Sequence, residues 1–164
     1  MPIHGMAIKL NPALADAYRL RGEAYTQLRQ YDRALSDCIK LTELQPQEVA
    51  AYEDRMELLL ITGRPDEAAK WIVQLKKSLP PDKILPSDRV IVTYFNCLIK
   101  IVKNETVTGE REKLNSRLDD NVVLDWDFEP IDGWLNAAKG LTPSQIEQIG
   151  ALTERLKQVN RPDK

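Results

Sequence analysis

The chain has 164 residues, 43% of them hydrophobic and 29% charged, with a formal net charge of -2. That balance is typical of a water-soluble globular chain long enough to bury a core, and it excludes the clustered basic excess of a nucleic-acid binder. Seven Gly, two Phe and scarce apolar–polar alternation argue against a β-rich fold. An all-α fold in one domain, 1–164, is therefore expected.

The N-terminus lacks the basic-then-apolar layout of a signal peptide. The longest apolar stretch, Val90–Val102, is interrupted by Thr93, Asn96 and Lys100. It falls short of the roughly 20 residues that span a bilayer, so a soluble, cytoplasmic chain without a membrane partner is expected. Cys38 and Cys97 lie far apart in the sequence, with no C-x-x-C motif. Their apolar neighbours suit reduced core thiols better than a disulfide, and zinc has no ligand set.

In chain order, the first readable fragment is Ala7-Ile8-Lys9-Leu10-Asn11-Pro12. Next, Ala15–Glu48 and Val49–Asp82 align residue for residue at a spacing of 34. The identical pairs are Ala17/Ala51, Tyr18/Tyr52, Arg21/Arg55, Glu23/Glu57, Asp32/Asp66, Ala34/Ala68, Leu41/Leu75 and Pro46/Pro80. A fixed period of that length marks stacked helical units that cannot bury their apolar faces alone. Each unit reads as two helices. In the first, Ala15–Leu28 carries Ala17, Leu20, Ala24, Tyr25 and Leu28 at helical spacing, and Arg29-Gln30 breaks the pattern. Asp32 is placed to cap a second helix, which Pro46 ends. In the second unit, Val49–Ile61 ends at the cap Thr62-Gly63, Pro65 starts the next helix, and Pro80-Pro81 closes it. The opening fragment is the tail of a further unit, since Pro12 stands one full period before Pro46. Two explanations stand for that tail. Met1–Gly5 belong to an introduced boundary, or an open edge at Ala15–Leu28 pairs with a second copy of the chain.

Tyr18, Gly22, Tyr25, Ala34, Cys38 and Pro46 follow one another at the spacing of a known signature. The pattern resembles the tetratricopeptide repeat, with a bulky aromatic, a small residue, Tyr, Ala, an aromatic or aliphatic, and a final Pro. In that signature Gly22 and Ala34 are small because the two helices cross closely. The second unit keeps Tyr52, Ala68 and Pro80 but has Met56 and Leu59 in the small-residue and Tyr slots. The resemblance covers residues 6–82, about half the chain. It implies a helix-turn-helix solenoid of repeats 15–48 and 49–82, with a partial one at 6–14, continued by non-repeat helices over 87–164.

It further implies a non-enzymatic adaptor or scaffold whose first helices line a concave groove for a protein or peptide. The groove slots hold Asp16, Arg19, Glu23, Thr26 and Gln27 in the first unit, and Ala50, Glu53, Glu57, Leu60 and Ile61 in the second. Family members that grip chaperone carboxylate tails place Lys, Asn and Arg in these slots. With Glu23, Glu53 and Glu57 there, and Arg19 as the lone cation, a basic or amphipathic segment is the better partner. A merely solvated face, or a groove filled by the chain's own C-terminal region, is the alternative. A homo-oligomer built through the N-terminal edge is the second function class.

Beyond Leu85-Pro86-Ser87, a natural hinge, Ser87–Lys103 carries two apolar stripes and reads as a sandwiched helix, with a buried strand as the minor alternative. A short helix is expected around Glu110–Leu118. Asp119–Asp132 holds six acidic side chains and no basic one, interleaved with Leu124, Trp126, Phe128 and Ile131. It fails as a calcium loop because Pro130 stands where Gly is needed and Asn136 where a bidentate Glu is needed. It reads instead as an acidic helix start capped by Asp127. Thr142-Pro143-Ser144-Gln145 supplies a capping box for a final helix striped with Ile146, Ile149, Leu152, Leu156 and Val159. The tail Arg161–Lys164 is expected to fray.

Catalytic machinery has no candidate. The only histidine is His4, glycine-rich phosphate loops are missing, and the acid pairs Glu53/Asp54 and Asp119/Asp120 read as solvated. No cofactor or metal is expected.

Overall fold

The computed structural model describes residues 2–118 and 122–159. Among them it is all-α: α1 (Pro2–Leu10), α2 (Ala15–Gln27), α3 (Tyr31–Leu44), α4 (Val49–Ile61), α5 (Pro65–Ser78), α6 (Pro86–Val102), α7 (Thr108–Leu118), α8 (Glu129–Ala137) and α9 (Pro143–Val159). One short 3-10 turn spans Pro81–Lys83. The chain divides into two compact units, Met1–Pro80 and Pro81–Lys164. No helix among the described residues is long and apolar enough to cross a membrane.

In the first unit each helix packs on the next, α1 on α2 through α4 on α5. The sequence period extends to the helix boundaries: α4 and α5 begin and end one period after α2 and α3, and α1 ends one period before α3. A tertiary hydrogen bond repeats as well. Tyr18 Oη donates to Pro12 O at 3.2 Å, and Tyr52 Oη donates to Pro46 O at 3.1 Å. The turn within each repeat is closed the same way. Arg29 (φ 55°) and Gly63 (φ 75°) take the left-handed conformation that ends a helix. Their N–H groups donate to Thr26 O at 2.8 Å and Leu60 O at 3.0 Å, while Gln30 and Arg64 reach back to Tyr25 O and Leu59 O.

Two local expectations are corrected. Asp32 is not the cap of α3; that position belongs to Gln30, whose side chain does not cap the helix, and Asp32 sits in the first turn, where the helix dipole favours a carboxylate. The close crossing at Gly22 is looser than expected. A Cβ there would lie 3.5 Å from Asp37 Cβ, an ordinary contact. Met56, in the same slot, is fully buried and leaves the helix boundaries unchanged.

The repeats differ at one matched pair. Arg21 meets Asp37 through two hydrogen bonds, 2.8 and 2.6 Å. Arg55, one period on, has Trp71 in the Asp37 slot and lies 3.4 Å from its ring centroid. Its Nη1 donates to Thr42 Oγ1 at 3.0 Å, but Nε is buried with no hydrogen-bond partner. Burial pushes the Arg55 pKa down to about 10.

In the second unit α6 is the central helix, a continuous helix of 17 residues, which disposes of the strand alternative. It packs on α7 and α9, and α8 packs on α9. Asn104 (φ 56°) closes α6 with the same bond pattern as Arg29 and Gly63, and α6 and α7 form a third hairpin with a longer connection, 103–107. The capping box forms: Gln145 N donates to Thr142 Oγ1 at 3.3 Å, and Thr142 N to Gln145 Oε1 at 2.8 Å. Gln145 Nε2 also donates to Ile101 O and Val102 O, both at 3.1 Å, tying α9 to the end of α6. Tyr94 and Thr153 share a buried hydrogen bond of 2.7 Å, and Lys157 Nζ meets Asp132 at 2.7 Å.

Between α7 and α8, residues 122–128 alternate. Val122, Leu124 and Phe128 are buried, while Val123, Asp125 and Asp127 are exposed. Trp126 stands edge-on to Phe95, centroids 5.5 Å apart, and Phe128 edge-on to Tyr94 at 6.0 Å. The apolar members of the acidic run therefore anchor it. Asp127 Oδ1 accepts from Glu129 N at 2.9 Å, one residue ahead of the Phe128 cap position. Asp119, Asp120 and the tail Arg161–Lys164 lie outside the described residues.

Candidate functional site

The predicted groove residues of the first repeat share one side of α2, at helical spacings of three and four. Asp16, Arg19, Glu23 and Gln27 line it with Thr26, which is half-buried, its Oγ1 donating to Gly22 O at 3.1 Å. Arg19 spans two acids of its own helix, Asp16 at 2.6 Å and Glu23 at 3.8 Å, and all three side chains are largely open to solvent. The hydrogen bond to Asp16 is the main cause holding the Arg19 pKa above the ordinary value.

The second repeat behaves differently. Glu53, Glu57 and Leu60, expected to face a partner, are only 3%, 5% and 1% exposed. The expectation of a solvated Glu53 is likewise corrected. The cause is the burial of α4 on most sides, with eight of its thirteen residues buried. The run Leu58-Leu59-Leu60-Ile61 carried that signal, because a helix apolar around its circumference belongs inside. Ala50 alone of the second set is exposed, and Ile61 is half-buried.

Asp54, not among the predicted groove residues, joins the α2 set instead. It is half-buried, and its pKa is pushed up to about 7, first by burial and then by the charges of Glu23 and Glu48, with Arg19 partly offsetting them. The structure thus groups Asp16, Arg19 and Glu23 of α2 with Glu48, just before α4, and Asp54. Four carboxyl groups stand against one guanidinium, and that guanidinium is already engaged by Asp16. Such a face attracts cationic groups. Among the described residues, no group of three or more His, Cys, Asp or Glu side chains could hold a metal ion.

The thiols are quiescent. Cys38 is buried, and burial followed by the Asp54 charge raises its pKa far above the ordinary thiol range. Burial, with Glu110, pushes Cys97 up to about 11. Neither is a thiolate at neutral pH, the form that reacts or binds metal. A second surface feature is apolar: Met6 and Leu10 on α1, with Leu20 and Leu28 on and just after α2, are 59%, 81%, 42% and 57% exposed. No protein-family model matches the chain.

Proposed function

We propose that this chain is a non-enzymatic adaptor of the tetratricopeptide-repeat type, which binds a basic or amphipathic segment of another protein on the α2–α4 face. The repeat assignment is supported by the periodic recurrence of helix boundaries, turn geometry and the Tyr–Pro hydrogen bond. The partner's chemistry rests on a single observation, the convergence of Asp16, Glu23, Glu48 and Asp54 around Arg19. A carboxylate tail would meet like charge there, whereas Lys or Arg side chains would replace water around the acids. With Glu53, Glu57 and Leu60 buried, the contact surface is α2 together with Glu48, Ala50 and Asp54.

The test begins with capture of partners on the immobilised chain, followed by binding curves for a captured segment. Asp16→Lys with Glu23→Lys alters two solvent-facing positions and leaves the core intact. The double change should weaken binding at least tenfold and reduce its salt dependence. Undiminished binding would remove the acidic face as the contact.

The exposed Met6, Leu10, Leu20 and Leu28 favour a second reading, a self-assembly module joined through the α1–α2 edge. Light scattering separates the two. A strict monomer at high concentration rejects self-assembly, while a dimer abolished by Leu10→Glu with Leu28→Glu supports it.

A further inference from the structure

We draw no further inference here: the strongest candidate, the carboxyl cluster of Glu23, Glu48 and Asp54 on the α2–α4 face, belongs to the site already described, and no second feature of the structure marks a ligand there.

Discussion

The first repeat, α2–α3, and the second, α4–α5, place their helices and turns at identical offsets yet house the same arginine in different chemistry. Arg21 is 23% exposed and holds Asp37, 4% exposed, in a two-pronged ion pair. Arg55 has the flat ring of Trp71 instead and one hydroxyl, that of Thr42. The period therefore fixes main-chain geometry more tightly than it fixes partners. A guanidinium tolerates either neighbour because its edge forms hydrogen bonds and its face stacks on aromatic rings.

The largest expected effect comes from making one substitution in both repeats. Arg21→Leu strands the buried Asp37 carboxylate and should cost about 2–4 kcal/mol, because a buried charge without its partner is strongly destabilising. Arg55→Leu removes a desolvated cation along with its ring contact. Relief of desolvation offsets a cation–π loss of about 1–2 kcal/mol, so stability should stay within about 1 kcal/mol of the parent. Urea unfolding of the two variants measures the contrast, and equal losses would break it. Replacing both Arg21 and Asp37 by Leu should recover most of the first loss, since no charge is then left alone.

The first helices of the repeats also differ at matched positions 20 and 54, where Leu20 is exposed and Asp54 half-buried. The folded Asp54 pKa is near 7, against an unfolded value of about 4. Between those values the folded chain keeps a proton that the unfolded chain releases. This group's contribution therefore favours folding at low pH and is lost as pH rises towards 7, with no further change above it. Asp54→Asn should flatten that slope and raise stability at pH 8 by about 1–3 kcal/mol. Carboxyl NMR gives a direct check: an Asp54 midpoint near 4 would refute the shift. For a cationic partner the sign is reversed, with tighter binding at pH 8 than at pH 6 because the face gains a negative charge.

Much of this fold was legible in the sequence because the period constrains several kinds of residue together. Pro46, Gly63, Pro65 and the Thr142–Gln145 box each mark a boundary by a local rule, and those boundaries hold. Asp32 misled because its position relative to the turn depended on Arg29, a residue type that rarely takes a left-handed conformation. The exposure of the predicted groove side was legible on α2, where helical spacing puts Asp16, Arg19, Glu23 and Gln27 together. It was misjudged on α4, where transferring groove slots by repeat position ignored the apolar run Leu58–Ile61, so Glu53 and Glu57 were assigned to solvent. Asp54 reads from sequence as solvated together with Glu53 and falls outside the groove, because its slot in the first repeat holds Leu20 and gives no hint of a carboxyl there. The Arg55–Trp71 contact could have been found by carrying the period from Arg21 and Asp37 onto the second repeat.

The smallest contrast lies in the turns. Arg29 and Gly63 hold nearly the same left-handed backbone, φ 55° and 75°, and make the same closing hydrogen bonds. Glycine adopts that conformation without steric cost, whereas a side chain with a Cβ is strained there. Arg29→Gly should therefore stabilise the chain by about 0.5–1 kcal/mol even though it loosens the unfolded state, and Gly63→Ala should destabilise it by a similar amount. Asn104, at φ 56° in the third hairpin, provides an internal scale. Asparagine visits the left-handed region more readily than arginine, so Asn104→Gly should gain less than Arg29→Gly in thermal unfolding. If Arg29→Gly brings no gain, contacts of the arginine side chain must already offset the strain, and the two turns would be equivalent in geometry but not in energy.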